Sequence, residues 1–238
     1  MTKKFAYTSI IEKKKGENMD QPLKIRFVSD YVCPYCLAAK IPLLEAIQGR
    51  NVEIEWIPYE LTEEPSERID TYHDPVRKEK WGKTLLPICR ELGIEMKLPP
   101  KVIPRPYTRL AFEGFHYAKE HQKDEQYNDL IYHAYFIEEL DIGDIEVLVK
   151  LAKRIGLDEK DFRDTLQKGT YTQRQKAAVA YAKKELDIHS VPTIFIGDKK
   201  IEGGVYKKEE FISLIDAALR EHTSETVHGF CCDEHGCG

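Results

Sequence analysis

Two short hydrophobic runs with a helical pattern between them open the ordered part of the chain. Residues 23–29 (LKIRFVS) form a β-rich run, and residues 52–57 (VEIEWI) alternate apolar and acidic side chains with the period of two that is typical of a strand. Residues 34–47 carry apolar side chains at helical spacing. The pattern therefore predicts a βαβ unit.

A long series of helical patterns follows this unit. Asp144 and Asp158 stand where N-caps are expected, and Gly93, Gly156 and Gly169 stand where helices are expected to stop. The predicted helices cover residues 75–92, 108–121, 125–139, 144–155, 158–168 and 171–186. The middle of the chain is therefore predicted to be all-helical.

The chain then returns to strand patterns. Residues 193–196 (TIFI), a turn at Gly197 and Asp198, and residues 200–202 predict a β-hairpin, and a last helix is expected over residues 208–221. The order β-α-β, helical block, β-β-α predicts an α/β fold whose four-stranded sheet is interrupted by an insertion. The expected parts are a disordered leader or extension (1–21), the first part of the α/β domain (22–62), the helical insertion (63–186), the second part (187–222) and a cysteine-containing tail (223–238).

Charge and hydropathy narrow the classes of function. The 238 residues carry a net charge of -5 with interspersed signs, so nucleic-acid binding is not expected. No apolar stretch approaches the roughly 18 residues of a membrane span. Residues 5–11 are too short and polar for a secretory signal, which predicts a cytoplasmic protein without membrane partners.

The first eighteen codons have a further interpretation. Residues 15–18 (KGEN) can be encoded by a purine-rich string that resembles a bacterial ribosome-binding site just before Met19. We therefore hypothesise that translation starts at Met19.

The pair Cys33-Pro34-Tyr35-Cys36 falls where the first strand gives way to the first helix. A helix N-terminus stabilises a thiolate, so Cys33 is predicted to be an accessible nucleophile with a lowered pKa. Cys36, one turn further on, is predicted to be the buried second thiol. This context favours a redox pair over half of a zinc site or two inert buried thiols, which remain the alternatives.

A second feature supports the redox interpretation. Val191-Pro192 immediately precedes the TIFI strand, which starts at Thr193. Together with the CPYC pair this resembles the thioredoxin superfamily, in which a cis proline faces the cysteines. The helical insertion makes the chain most similar to the DsbA family, in its FrnE-like branch. The motifs that carry this resemblance are residues 56–61 (WIPYEL), 107–111 (YTRLA), 135–144 (YFIEELDIGD) and the cysteine-bearing tail.

The resemblance implies a thioredoxin fold and a protein disulfide oxidoreductase or isomerase. It implies that Cys33 attacks, that Cys36 resolves, and that Pro192 completes the catalytic site. It also implies that no cofactor is required and that the partners are protein or peptide thiols and disulfides, with glutathione or another thiol system a candidate for redox exchange. Substrate would dock against Pro34, Tyr35, Val191 and Thr193.

Two departures from relatives matter. The periplasmic DsbA enzymes have histidine where this chain has Tyr35, which predicts a less oxidising pair here. The related 2-hydroxychromene-2-carboxylate isomerases have serine in place of the first cysteine and use glutathione as cofactor. Intact Cys33 and Cys36 argue against that activity, which stays as one alternative; a zinc-binding interaction protein is the other.

Other polar residues have weaker claims. Asp30, three residues before Cys33, and Glu60, after the second predicted strand, are candidate proton acceptors, although Asp is also a common turn residue in such a loop. Cys232 and Cys237 could form a second redox pair. Together with Cys231, His228 and His235 they could instead bind a metal, or they have no role. Cys89 and the aromatic residues of the helical block are expected to be core.

Overall fold

A four-stranded mixed sheet lies at the centre of the molecule in the computed structural model. The model describes residues 21–203 and 207–228, with side chains only up to 222 in the second range. Strand β1 (Leu23–Ser29) pairs in parallel with β2 (Val52–Pro58) and antiparallel with β3 (Thr193–Ile196), which pairs antiparallel with β4 (Lys199–Glu202). The order β2-β1-β3-β4 confirms the predicted fold class.

Two helices from opposite ends of the chain complete this unit. Helix α1 (Pro34–Ala46) packs against α9 (Lys208–His228), and α9 also contacts β1 and β3. Phe27 of β1 and Leu43 of α1 are fully buried in a shared core. The predicted end of the last helix at residue 221 is wrong, because α9 continues to His228.

Seven helices separate β2 from β3. Asp144 and Asp158 cap their helices by accepting bonds from the N–H groups of Val147 (3.0 Å) and Asp161 (2.7 Å), as predicted. Among the helices of the described residues, none is long and apolar enough to cross a membrane. The seven are α2 (Pro75–Thr84), α3 (Leu86–Leu92), α4 (Arg109–Glu120), α5 (Asp124–Phe136), α6 (Ile145–Arg154), α7 (Glu159–Lys168) and α8 (Thr172–Ala180).

Two predicted helices differ from the structure. The single helix expected over residues 75–92 is α2 followed by α3, because Pro87 has no N–H to donate to the turn before it. The helix expected over residues 171–186 ends as α8, and a π-helical turn follows over Tyr181–Glu185, closed by a bond from Leu186 N to Tyr181 O at 3.1 Å.

The end of the helical block packs against the other face of the sheet. Ala182 of the π-helical turn and Ile188 pack with Val28, Ile57 and Phe195 in a small separate core. Helix α8 also contacts β2, which pairs with β1. The insertion is therefore packed against the same part of the sheet as the strand that leads to the cysteines. The domain boundaries given above stay predictions, and residues 1–20 and 229–238 lie outside the described residues.

Gly114 in the helical block leaves no room for a larger residue. A Cβ at Gly114 in α4 would overlap the hydroxyl of Tyr127 and lie 2.8 Å from Cζ of Phe162, and both rings are fully buried. We expect Gly114→Ala to lower the free energy of unfolding by about 1–3 kcal/mol, as overpacking does. Urea titration would measure it.

The control for this variant is Gly82→Ala in α2, where the added Cβ meets nothing within 4 Å. It should be neutral or stabilise by about 0.5–1 kcal/mol, because alanine loses less backbone entropy in a helix. An unchanged midpoint for Gly114→Ala would contradict the prediction.

Candidate functional site

The two cysteines of the CPYC pair lie at the start of α1. Cys33 is the N-cap with an extended backbone, and Pro34 occupies the first helical turn, where no N–H is needed. Cys33 N donates to Asp30 O at 3.0 Å, and Cys36 N donates to Cys33 O at 3.1 Å. These bonds fix the turn that brings both side chains to the helix N-terminus, as the sequence predicts.

The two thiols have different environments. Cys36 is fully buried, and burial, together with a hydrogen bond to Cys33, raises the pKa of its thiol well above the usual range. Cys33 is only 4% exposed, because the surrounding segments cover most of the residue. The nucleophile is therefore less accessible than the sequence predicts. Cys33 nevertheless lines an open cleft and is the sulfur that a ligand in this cleft would meet.

The segment before β3 lies directly against this pair. The Val191–Pro192 peptide bond is cis, and Sγ of Cys33 donates to the carbonyl oxygen of Val191 at 3.4 Å. Thr193 is buried and its Oγ1 donates to Ser190 O at 2.8 Å, which holds the turn. The structure thus brings together Cys33, Cys36 and the proline segment that the sequence suggested.

The cleft beside Cys33 has a volume of about 320 Å³. Tyr35 lies in its wall, and its hydroxyl is 2.7 Å from Oγ1 of Thr84 at the end of α2. Helix α2 and the loop before α4 form the opposite side. They contribute lining residues that the sequence did not single out, namely the apolar Val76 and Trp81 and the cationic Arg77, Lys80 and Arg105.

Asp30 is fully buried behind the cysteines. Its Oδ2 accepts a bond from Leu61 N at 2.7 Å and its Oδ1 a longer one from Val32 N at 3.4 Å. Burial raises the pKa of Asp30 above its ordinary value even though these bonds lower it. The carboxyl group is therefore more than a turn residue, since it ties the loop of the pair to the segment after β2.

Glu60 belongs to a buried chain of polar side chains. Gln175 Nε2 in α8 donates to Glu60 Oε1 at 2.7 Å, and Gln175 Oε1 lies 3.0 Å from Nε2 of His116 in α4. Burial raises the pKa of Glu60 to about 7 and lowers the pKa of His116 to about 4. Glu60 makes no bond to either cysteine within the described residues, but it neighbours Leu61, which is bonded to Asp30.

Other candidates lie elsewhere. Cys89 is buried in α3 and is a core residue, as expected. The predicted second pair, Cys232 and Cys237, lies outside the described residues. In the part of the chain that is described, no group of three or more histidine, cysteine or acidic side chains is arranged to hold a metal ion.

Gln175, His116 and the three cations of the cleft were missed by sequence reasoning. They come from four separate segments, and no local motif links them. Arg105 carries the one usable signal, since Pro104 and Pro106 flank it and restrict the backbone of that loop.

Comparisons with known proteins agree with this geometry. The chain is 45% identical over 183 residues to the uncharacterized protein YwbO of Bacillus subtilis, covering 77% of this chain and 91% of YwbO. A structure described as a probable DsbA oxidoreductase from Streptomyces coelicolor superposes with a TM-score of 0.68 at 23% identity, covering 84% of this chain and 91% of that one.

A third relative is the cytosolic disulfide reductase DsbM from Pseudomonas aeruginosa, solved with GSH. It has a TM-score of 0.63 at 15% identity and covers 83% of this chain and 100% of its own. At these identities the two solved structures establish the shared fold alone. The model of the DSBA-like thioredoxin domain matches residues 24–208, which include the cysteine pair, the helical block and the cis proline. The chain therefore belongs to the DsbA-like thioredoxin domain family.

Proposed function

We propose that this protein is a cytoplasmic protein thiol–disulfide oxidoreductase or isomerase that works through Cys33 and Cys36. The observation that carries the proposal is the asymmetry of the pair. Cys36 is fully buried with a raised pKa, whereas Cys33 borders a cleft and contacts the Val191 carbonyl of the cis-proline segment. Such an arrangement supports one attacking and one resolving sulfur.

The reaction follows from these positions. The Cys33 thiolate attacks one sulfur of a substrate disulfide, forming a Cys33–substrate disulfide and releasing the other sulfur as a thiolate that takes a proton. Cys36 then loses its proton and attacks Sγ of Cys33, which releases the substrate thiol and leaves the Cys33–Cys36 disulfide. Two electrons pass from the pair to the substrate, and the reverse sequence oxidises a dithiol substrate.

The Cys36 proton needs an acceptor in the interior. Asp30 is the nearer candidate, because its charge acts on the Cys36 thiol and its backbone carbonyl contacts Cys33 N. Glu60 is the second, with a pKa of about 7 that suits proton exchange near neutrality. In this proposal Pro34, Tyr35, Val191 and Thr193 border the docked substrate, and Pro192 holds the segment that faces Cys33.

Glutathione is the redox partner we propose, with no dedicated cofactor. The Pseudomonas DsbM structure holds GSH and is described as a cytosolic reductase, which supports both the partner and the compartment. Isomerase and reductase activity use the same pair and differ in whether the resolving step completes. The redox potential decides between them.

The test is a redox titration of the pair. The protein is equilibrated in glutathione buffers of stepped potential, and alkylated thiols are counted by mass spectrometry. We expect one two-electron transition of Cys33 and Cys36 between about -120 and -270 mV. A pair that never oxidises would overturn the proposal, and metal content would then be measured to test the zinc alternative. Small-molecule turnover with glutathione that survives loss of Cys36 would instead indicate an isomerase of the 2-hydroxychromene-2-carboxylate type.

A further inference from the structure

The cleft beside Cys33 has a marked excess of positive charge. Of its lining side chains in the described residues, Arg77, Lys80 and Arg105 are cationic and Asp74 alone is acidic. Asp74 is already engaged, since its Oδ1 caps α2 through Arg77 N at 3.0 Å and its Oδ2 lies 3.3 Å from Arg77 Nε. The single carboxylate of the lining therefore offsets Arg77, and no lining carboxylate is left for Lys80 and Arg105.

Arg105 is the unusual member of this group. The residue is 7% exposed, and its Nη2 donates to the neutral hydroxyl of Thr62 at 2.6 Å. Its Nε is buried without a hydrogen-bond partner in the described part of the chain. The carboxylate whose charge acts most strongly on the guanidinium is Asp30, which is buried behind the cysteines and does not line the cleft. A buried donor without an acceptor is costly, and this one belongs to a cation on the wall of a reactive cleft, which points to an anion of the substrate as its acceptor.

Lys80 extends the positive charge to the mouth of the cleft. It is exposed on α2 and forms no ion pair within the residues that the structure describes. Lys83, one turn further along the same helix, is by contrast paired with Glu79 at 2.5 Å and does not line the cleft. Lys78, also on α2, lies over the ring of Tyr72 and does not line the cleft. Of the three lysines of α2, Lys80 is the one that lines it.

The Cys33 thiolate cannot by itself account for Arg105. Cys33 is an anion only before it attacks, because the mixed disulfide that follows is neutral. Arg105 keeps its charge throughout, and its Nε is still without an acceptor in the intermediate. A substrate that carries its own anion close to the reacting sulfur supplies that acceptor at every stage.

We propose that Arg105 and Lys80 form a carboxylate subsite beside Cys33, so that the pair prefers thiols and disulfides that carry a carboxylate near the sulfur. The inference rests on the proposed function and names its substrate class. Arg105 binds the carboxylate inside the cleft, and Lys80 attracts it at the mouth. The exposed apolar side chains of Val76 (74% exposed) and Leu61 (41% exposed) border the part of the substrate that connects its carboxylate to its sulfur.

Three small symmetrical disulfides test this preference. They are dithiodipropionate, which is anionic, hydroxyethyl disulfide, which is neutral, and cystamine, which is cationic. Each oxidises the reduced protein in a single turnover, and its rate is divided by the rate of the same disulfide with dithiothreitol to cancel intrinsic reactivity. For the wild type, we expect the normalised rates to fall in the order anionic, neutral, cationic, with differences that shrink as salt is added.

Two variants locate the effect. Arg105→Gln should lower the normalised rate of the anionic disulfide relative to the neutral one by about ten-fold, the value of a charge-assisted contact. Lys80→Gln should lower the anionic-to-cationic ratio by about three-fold, as expected for an exposed charge. Lys83→Gln removes the same charge from the same helix outside the cleft and should leave the ratio unchanged.

Several results would overturn the proposal. Equal loss of rate with all three disulfides in Arg105→Gln would assign the arginine to Cys33 itself and not to substrate. Equal ratios for Lys80→Gln and the wild type would show that Lys80 does not attract the carboxylate at the mouth. Because Lys80 is exposed, this variant remains informative if Arg105→Gln does not fold. Exchange with none of the three disulfides would be a failure of the proposed function, which the redox titration would also reveal.

Discussion

Cys36→Ser is expected to stop turnover of disulfide substrates and to leave Cys33 joined to substrate in a stable mixed disulfide. The physical reason is that, of the cysteines that the structure describes, only Cys36 is placed to displace the substrate from Cys33, since it is fully buried beside Cys33 and hydrogen-bonded to it. Serine keeps the size of the side chain but cannot attack the disulfide as a thiolate does. We expect the rate of multiple turnover to fall by about three orders of magnitude or more.

The measurement has two parts that separate the roles of the two cysteines. Insulin reduction in glutathione buffer gives the turnover rate, and intact-protein mass spectrometry gives the amount of adduct. Cys36→Ser should accumulate one adduct on Cys33, whereas Cys33→Ser should lose turnover and accumulate none.

Cys89→Ala is the matched control for these variants, because Cys89 is a third buried cysteine that lies in the core of α3. It should keep the turnover rate of the wild type. Equal adduct formation in Cys33→Ser and Cys36→Ser would contradict the assignment of Cys33 as the attacking sulfur.

The elements of this fold that were predictable are those with local signals. Asp158 bonds to an N–H of its own first turn, and Gly169 ends the same helix with a φ of 64°, so each boundary depends on a few neighbouring residues. The break between α2 and α3 had a local signal too, in Pro87, which the helical periodicity of the flanking residues obscured. No local pattern marks the π-helical turn at Tyr181–Glu185.

The candidate site divides in the same way. The CPYC pair and the proline before β3 are recognisable because each has a fixed place relative to a strand or helix. The chemistry around them depends on side chains from distant segments. Arg105 reaches the cleft from the loop before α4, and Gln175 reaches Glu60 from α8, so neither could be assigned before the helical block was folded onto the sheet.

The buried chain from Glu60 through Gln175 to His116 should make the stability of the protein depend on pH in two opposite ways. Burial raises the pKa of Glu60 from 4.5 to about 7, so between these values the folded state holds a proton that the unfolded state has lost. Stability therefore falls as pH rises through this window. Burial lowers the pKa of His116 from 6.5 to about 4, so there the unfolded state holds the extra proton, and stability rises with pH.

In the wild type the contributions of Glu60 and His116 oppose each other between about pH 4.5 and 6.5. The pH dependence of wild-type stability alone therefore does not separate them. The difference between a variant and the wild type separates them, because all other groups titrate alike in the two proteins. For Glu60→Gln, the gain in free energy of unfolding should grow from pH 4.5 to about 7 and then level off. At about 1.4 kcal/mol per pKa unit the full change is about 3 kcal/mol.

His116→Gln should give the opposite slope, with the difference from wild type falling as pH rises from 4 to 6.5. Both variants keep amide groups that can bond to Gln175, so the packing of the chain is preserved while the titrating group is lost. Urea titrations at half-unit pH steps from about 4 to 8 measure both differences. A flat difference for Glu60→Gln would mean that Glu60 is ionised in the folded protein well below pH 7, which would also remove it as a proton acceptor for Cys36 near neutrality.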